Sequence, residues 1–276
     1  MEDKSVTENE TRWLSMSEAP KPIPELQHIQ KTWDSLIVSN LVTKVLSRAS
    51  SEVDKARLLA ASAPHSGDWM LAPPISSVGL KLSDEAIRVS VAQRLGCRAC
   101  EPHTCLCEKT VDARGLHGLA CRKSAPRHQR HSQMNDLIWR TIKRAEIPAV
   151  KEPVGLMQDG KRSDGATLIP WARCKPLAWD VTVPDTYADS HMHDTAIQAG
   201  AAADRAAINK CAKYKTLENS HIFFPVSIET GGSWNESAIE LVQEIGKRIT
   251  VVSEDSRETS FLFQSINQIR FITRHM

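Results

Sequence analysis

Two aspartates stand at positions where a chain rarely places a carboxylate. Asp180 interrupts the apolar run PLAWDVTV (176–183), and Asp164 comes directly before the apolar segment GATLIPW (165–171). Because burying an unpaired carboxylate costs several kcal/mol, Asp180 needs a cation or several hydrogen-bond donors around it. An antiparallel turn between the two segments would bring both acids onto one face, where they can ionise together only around a cation. Oxygen ligands suit Mg²⁺ or Mn²⁺, so the pair predicts a metal site that could activate water for phosphodiester cleavage.

Cations for such a site are expected from the next helix. Nuclease sites usually add a lysine that orients or deprotonates the attacking water, and none stands two residues after the second aspartate. The segment NKCAKYKTL instead offers Lys210 and, one helical turn further on, Lys213 or Tyr214 on the same side. Glu152 and Glu229 could complete a metal shell, although each taken alone is better explained as an ion-paired structural residue.

A cluster of cysteines and histidines precedes these segments. Five of the seven cysteines lie between residues 97 and 121 together with two histidines, and disulfides would not recruit histidine. Zinc takes four thiolate or imidazole ligands in a tetrahedron, so the spacing predicts a structural Zn²⁺ site rather than a set of buried free thiols. The favoured ligands are Cys105, Cys107, His117 and Cys121, and Cys97 or Cys100 could replace Cys105 because C-x-x-C is the commoner spacing. The other histidines of the region, expected to be spare or to contact phosphate, are His103, His128 and His131.

Hydrophobic periodicity divides the rest of the chain into helices and strands. Strands are expected over 150–156, 165–171, 176–183 and 221–230, and helices over 53–63, 134–145, 194–217, 237–249 and 257–272, with another helical stripe starting at Leu26. One further helix has Ser83 as its expected N-cap and Gly96 just past its end. Consecutive strands followed by a crossover helix and another strand imply a mixed sheet with helices packed on it.

The predicted fold class is α+β with an α/β-like nuclease core. A helical N-terminal region and a small zinc-binding segment come before a mixed β-sheet flanked by helices in αβββαβα order. The corresponding boundaries are 1–25 for a disordered linker, 26–96 for a helical linker region, 97–132 for the zinc-binding segment and 133–276 for the domain built on the mixed sheet.

Composition and charge narrow the class of protein. The net charge is only +2, but eight Lys or Arg residues against three acids lie between Arg94 and His131. This basic patch could contact a phosphate backbone, although a solvated charged face is the simpler explanation from charge alone. No run of about 18 apolar residues exists, so no membrane partner is expected. The N-terminus is acidic and polar, unlike a signal peptide, which predicts an intracellular protein.

Several short motifs in a fixed order carry a resemblance to a known family. After the Cys/His segment come RHQRHSQMNDLI, KRSDG, WDVTV, KCAKYKTL and FFPVSIETGGSW. Together they resemble the C-terminal part of the reverse transcriptase polyproteins of non-LTR retrotransposons, a class of transposable element. In that family a zinc knuckle precedes a restriction-like endonuclease of the PD-(D/E)XK group. The resemblance covers about residues 97–250, and the piece upstream looks like the linker between polymerase and knuckle in related elements.

The resemblance implies Mg²⁺-dependent nicking of target DNA in the nucleus to prime reverse transcription. The family's (K/R)-P-D motif falls on Arg162-Ser163-Asp164, its second acid on Asp180, and its K-Y motif on Lys213-Tyr214, while Ser163 departs from the proline. No polymerase motif is present in this chain, so a truncated open reading frame, a separately encoded fragment or a domesticated remnant is expected. DNA is the implied partner, RNA is the alternative, and the oligomeric state is left open. The competing interpretations are a catalytically silent nucleic-acid-binding zinc module and a decayed remnant.

Overall fold

The computed structural model describes residues 11, 15, 30–76, 80–121, 123, 125–157 and 160–269. The linker predicted over 1–25 and the start of the helical stripe at residue 26 lie outside the described residues, apart from Thr11 and Ser15. The chain divides into two compact units, Met1–Ser50 and Ser51–Met276. The first unit contains helix α1, Gln30–Arg48.

The second unit contains the sheet and the other described helices. The helices are α2 Glu52–Ser62, α3 Asp84–Leu95, α4 His117–Ala120, α5 Ala125–Arg144, α6 Met192–Thr195, α7 Ala201–Lys213, α8 Glu236–Ser253 and α9 Glu258–Ile269. Short 3₁₀ turns cover Asp68–Leu71 and Lys215–Asn219. The strands are β1 His103–Thr104, β2 Thr110–Val111, β3 Ala149–Lys151, β4 Gly165–Thr167, β5 Leu177–Thr182 and β6 Ile222–Ser227.

The predicted α+β class is confirmed by a mixed four-stranded sheet with helices on both faces. Its strand order is β3-β4-β5-β6, with β3, β4 and β5 antiparallel and β6 parallel to β5. The parallel pair needs a crossover, which α6 and α7 supply between β5 and β6. Strands β1 and β2 form a separate antiparallel hairpin.

Central strand β5 is covered on both faces, which explains why its sequence reads as a nearly continuous apolar run. Helices α5, α8 and α9 pack on one face around Trp179, which is fully buried. From α5 this core receives the fully buried side chains of Met134, Ile138 and Ile142. The opposite face carries a smaller cluster that includes Ala178 and Tyr214 at the end of α7. Asp180, two residues after Ala178, faces this smaller cluster and therefore α7.

The ends of α3 confirm the capping prediction. The Ser83 hydroxyl accepts a hydrogen bond from Ala86 N at 3.2 Å, which satisfies one of the amides left over at the helix start. Gly96 ends the helix in the left-handed conformation, with φ of 75°. A glycine takes this conformation without strain, so the stop signal in the sequence has a direct physical cause.

Other element boundaries differ from the prediction. Helix α5 begins at Ala125, not near residue 134, because a proline in the first turn costs no hydrogen bond, and the polar stretch that follows is helical with Arg130 fully buried. The strand predicted over 150–156 ends at Lys151, since Glu152 has φ of 47° and turns the chain away. Gly200, with φ of 85°, breaks the helix predicted over 194–217 into α6 and α7.

The domain boundaries predicted at 96/97 and 132/133 both lie within the second compact unit. Everything from Ser51 onward belongs to one unit, in which the 3₁₀ turn Asp68–Leu71 packs on α9 and α2 packs on α6. The boundary at 132/133 falls inside helix α5. Within the part of the chain that the structure describes, no helix combines the length and apolar character needed to cross a membrane.

Candidate active site and metal centre

Strands β4 and β5 set the positions of the two aspartates. Gly165 pairs with Trp179 and Ala166 with Ala178, so the same antiparallel register places Asp164 opposite Asp180. Directly opposed residues point to the same face of a sheet. At Gly165 a Cβ atom would lie 2.0 Å from Trp179 Cζ2, so a side chain at this position would displace the tryptophan ring. A glycine immediately after Asp164 therefore allows the two strands to approach with this register.

Asp180 is buried and has the partners that its burial requires. It is 3% exposed, and its Oδ1 forms an ion pair with the Lys210 ammonium. Its Oδ2 accepts a hydrogen bond from Tyr214 OH at 2.5 Å. The Tyr214 hydroxyl also lies 2.5 Å from Arg162 O and receives a hydrogen bond from Lys213 Nζ at 2.7 Å. The last turn of α7 thus delivers one cation to the carboxylate and a second to the hydroxyl beside it.

Asp164 is held at the start of β4 by the backbone and by α5. Its Oδ2 accepts a hydrogen bond from Val181 N at 2.6 Å and lies 3.0 Å from His131 Nε2. Asn135, one turn after His131, donates from Nδ2 to Asp164 O at 3.0 Å and accepts from Trp179 Nε1 at 2.8 Å. The central tryptophan, the first aspartate and helix α5 are therefore joined by a short chain of hydrogen bonds.

His131 belongs to this site, although the sequence analysis left it among the spare histidines and phosphate contacts. The sequence signal was the helical period: His131, Met134, Asn135 and Ile138 form one stripe on α5. Reading the segment before residue 134 as part of the zinc-binding loop hid that period. The hydrogen bond to the Asp164 carboxylate raises the pKa of His131 above its ordinary value of 6.5, against the opposing effect of burial.

The charge of His131 is expected to make stability depend on pH. Because its pKa is raised in the folded state, the contact stabilises the fold fully below about pH 6.5 and loses this effect as the pH rises past the folded-state pKa. NMR titration of the His131 ring should give a pKa above 6.5, and Asp164→Asn should return it toward that value. A ring in the wild type that titrates at 6.5 or below would contradict the contact.

The two glutamates considered as metal ligands do not join the aspartates. Glu152 is exposed in the turn after β3. Glu229 is fully buried, and its Oε1 accepts hydrogen bonds from Ala202 N at 2.8 Å and Ala203 N at 3.2 Å. Its Oε2 accepts from Thr186 Oγ1 at 3.0 Å. Burial raises the pKa of Glu229, and the amides at the start of α7 oppose this. Glu229 is thus a cap of the helix that carries the lysines.

The Cys/His segment folds into a compact cluster of metal-binding side chains. One ligand atom from each of Cys105, Cys107, His117 and Cys121 lies within 4.8 Å of the other three. The Sγ atoms of Cys105 and Cys121 are 3.6 Å apart, and Cys107 Sγ is 3.1 Å from His117 Nε2. A tetrahedral zinc with Zn–S bonds of about 2.3 Å separates two thiolates by roughly 3.8 Å. The cluster could hold a metal ion and is compatible with structural zinc.

Local backbone geometry explains why these four residues meet. Cys105 and Cys107 lie in the turn between β1 and β2, where Glu108 adopts φ of 70°. His117 begins the short helix α4 and Cys121 follows its end, so both face the same side one turn apart. A hydrogen bond from the Lys109 amide lowers the pKa of the Cys107 thiol to about 6. A thiolate near neutral pH is the form that binds a metal.

The alternative ligands lie elsewhere. Cys100 Sγ is within hydrogen-bonding distance of Asp112 O, at 3.3 Å, and outside the cluster, so Cys100 does not replace Cys105. Cys97 is exposed and is also outside it. The commoner C-x-x-C spacing was therefore misleading: the hairpin turn lets the tight C-x-C pair direct both thiols inward.

Removing one thiolate from the cluster is expected to remove its zinc. The protein should bind about one zinc ion per cluster, and Cys121→Ser should reduce the zinc content measured by mass spectrometry to near zero. Because metal binding contributes to folding, the variant should lose about 2 kcal/mol, equivalent to about 4–8 °C in melting temperature. Cys174→Ser is the matched control, since Cys174 is exposed and outside the cluster. Full zinc content in Cys121→Ser would contradict the ligand assignment.

Comparison with known proteins identifies no family or relative for this chain. No protein-family model matches the chain, and no curated protein has a matching sequence. A proposal about function must therefore rest on the geometry of the two sites, the aspartate pair and the Cys/His cluster.

Proposed function

We propose that residues from Ala125 onward form a divalent-metal-dependent endonuclease that nicks one strand of DNA by phosphodiester hydrolysis. The proposal takes up the resemblance to the restriction-like PD-(D/E)XK endonuclease region of non-LTR retrotransposon polyproteins. The element order supports it: α5, three antiparallel strands, the helices α6 and α7, the parallel strand β6 and then α8. On this proposal the chain acts in the nucleus on a DNA target.

The observation that carries the proposal is the register of β4 and β5. It sets Asp164 opposite Asp180 on one face of the sheet, and α7 brings Lys210 and Tyr214 against the second acid. A buried carboxylate opposite a second carboxylate, with the Lys210 ammonium against it, is expensive to assemble for stability alone, because a buried charge must be desolvated. A site that handles phosphate and a metal needs both kinds of charge.

The donor set suits a hard divalent cation such as Mg²⁺ or Mn²⁺. Asp164 and Asp180 would hold the ion, since carboxylate oxygens are its preferred ligands. Within the described residues, Asp164 Oδ1 accepts no hydrogen bond, whereas Asp164 Oδ2 is taken by Val181 N and His131. When bound, the ion would supply a more acidic water and would withdraw charge from the scissile phosphate.

The chain's own cations would act on the substrate. Lys210 and Lys213 lie one turn apart at the end of α7, where an ammonium group can bind a phosphate oxygen and oppose the charge that develops in the transition state. Tyr214, fully buried, fixes the orientation of the Asp180 carboxylate through its hydroxyl. His131 does the same for Asp164. On this proposal Tyr214 and His131 are positioning residues, and the two lysines stabilise the charge that develops on the phosphate.

A second function, a nucleic-acid-binding zinc module without catalysis, is favoured by the Cys/His cluster. The cluster requires no catalytic aspartate, and several basic side chains of the same segment are at least partly exposed: Arg98, Lys109, Arg114 and Lys123. Such a module would bind DNA or RNA through phosphate contacts. A domesticated or decayed remnant of a retrotransposon that had lost its endonuclease activity would keep this nucleic-acid binding.

Plasmid nicking separates the two functions. The zinc-loaded protein should convert supercoiled plasmid to the open-circular form with Mg²⁺ or Mn²⁺, and Asp164→Asn should slow this by about 10²-fold or more. Asp189→Asn is the matched control, because Asp189 is an exposed acid in the loop before α6. Equal nicking by both variants, or none by the wild type, would remove the catalytic proposal. Retained DNA binding without nicking would then favour the zinc module.

A further inference from the structure

The Asp180 carboxylate is engaged on both oxygens by groups of this chain. Lys210 pairs with Oδ1 and Tyr214 hydrogen-bonds to Oδ2. Since the Asp180 side chain is only 4% exposed, any further ligand must take the place of one of these two partners. A metal ion at this carboxylate and the Lys210 ammonium are therefore competitors, because both are cations that seek the same oxygen.

Lys210 is the partner that can leave. Tyr214 is fully buried, and its hydroxyl is held by Arg162 O and Lys213 as well as by Asp180. The Lys210 side chain is 24% exposed, and its flexible four-carbon stem can carry the ammonium from the carboxylate toward solvent. A nearby DNA phosphate offers the ammonium a replacement for the carboxylate that it gives up.

We propose that Lys210 is a replaceable counterion that couples metal binding to DNA binding at this site. The ammonium occupies Asp180 in the free protein, and a DNA phosphate withdraws it and frees the carboxylate for the metal. This inference rests on the proposed function. By linkage, DNA must then raise the affinity for the metal, and the metal must raise the affinity for DNA by the same factor.

The first test measures Mn²⁺ binding to the free, zinc-loaded protein by electron paramagnetic resonance. Lys210→Met removes the competing charge and keeps the apolar stem, so it should bind Mn²⁺ about tenfold more tightly than the wild type, within the usual range of coupling factors. Lys247→Met is the matched control, because Lys247 is a 71% exposed lysine on α8 paired with Glu244 at 3.7 Å. It should bind Mn²⁺ as the wild type does. Thermal unfolding of each variant shows whether it is folded.

The second test measures affinity for a fluorescent DNA duplex by anisotropy, with Ca²⁺ or with no added divalent ion. Added salt ordinarily weakens the binding of a protein to DNA, so stronger binding in the presence of Ca²⁺ would be a specific effect of the ion. In the wild type and in Lys247→Met, Ca²⁺ should strengthen binding by about tenfold. In Lys210→Met the strengthening should be several-fold smaller, because only the attraction between the ion and the phosphate remains. If Lys210→Met fails to fold, the wild-type measurement still tests the inference, because weaker DNA binding with Ca²⁺ would contradict it.

The outcomes distinguish this inference from the proposed function. If no variant binds Mn²⁺, with or without DNA, the metal site and the endonuclease proposal both fail. If the wild type binds Mn²⁺ as tightly as folded Lys210→Met, or if Ca²⁺ weakens its binding to DNA, the counterion role is overturned and the metal site remains. Tighter Mn²⁺ binding by Lys210→Met together with a smaller Ca²⁺ effect in that variant establishes the coupling, and an unchanged Ca²⁺ effect overturns it.

Discussion

Replacing Asp180 with asparagine is expected to abolish plasmid nicking, with a rate loss of about 10³-fold, while the protein stays folded. The amide oxygen of asparagine can still accept the hydrogen bond from Tyr214 OH, so the buried hydroxyl keeps its partner. The neutral amide cannot pair with Lys210, but that side chain is 24% exposed and can turn to water. The change thus removes the negative charge and little else.

Two measurements make the Asp180→Asn result interpretable. Circular dichroism and thermal unfolding should show the wild-type fold, and zinc content should be unchanged because the Cys/His cluster does not include β5. The control is Asp189→Asn, the same chemical change at an exposed position, which should nick at the wild-type rate. Wild-type nicking by folded Asp180→Asn would show that this carboxylate does not take part in the reaction.

Replacing Trp179 with alanine is expected to have the largest effect on stability. The side chain is fully buried between β4 and the helices of the main core, and it packs over Gly165. Truncating a buried tryptophan typically costs about 3–5 kcal/mol, a large part of the total of about 5–15 kcal/mol that holds a domain together. Urea unfolding monitored by circular dichroism should show this loss as a lower midpoint.

Trp179→Phe separates packing from hydrogen bonding at the same position. Phenylalanine keeps most of the apolar surface but cannot donate to Asn135 Oδ1, which the tryptophan reaches at 2.8 Å. Leaving that buried acceptor unsatisfied should cost about 1–3 kcal/mol. The expected order of stability is therefore wild type, Trp179→Phe and then Trp179→Ala. A loss below about 1 kcal/mol in Trp179→Ala would contradict its place at the centre of the core.

Local signals in the sequence were sufficient to predict the features that depend only on residues close together in the chain. The cap at Ser83 and the stop at Gly96 follow from the conformational preferences of single residues. The buried strand around Asp180 follows from its apolar neighbours, and the four residues of the Cys/His cluster follow from ligand type and spacing. In each case the physical cause lies within about ten to fifteen residues of the chain.

Features that depend on distant partners could not be predicted in this way. Glu229 was considered as a metal ligand, but it caps α7, which lies more than twenty residues earlier in the chain. His131 was separated from Asp164 because its segment was assigned to the zinc loop and not to α5. The sequence offered Lys210, Lys213 and Tyr214 together, and only the packing of α7 on β5 shows that Lys210 is the one that pairs with Asp180. Tertiary packing, which no local pattern contains, decides each of these.

Helix α5 determines how the molecule can be divided for experiments. Its first turn follows Cys121 by four residues, Arg130 Nη2 donates to Leu119 O at 2.6 Å, and His131 contacts Asp164. A shortened protein beginning at residue 133 would lose both contacts and start in mid-helix. A piece that keeps both contacts must include Leu119 and with it the end of the Cys/His cluster, so a transplant of the two aspartates with the whole of α5 would carry that cluster along.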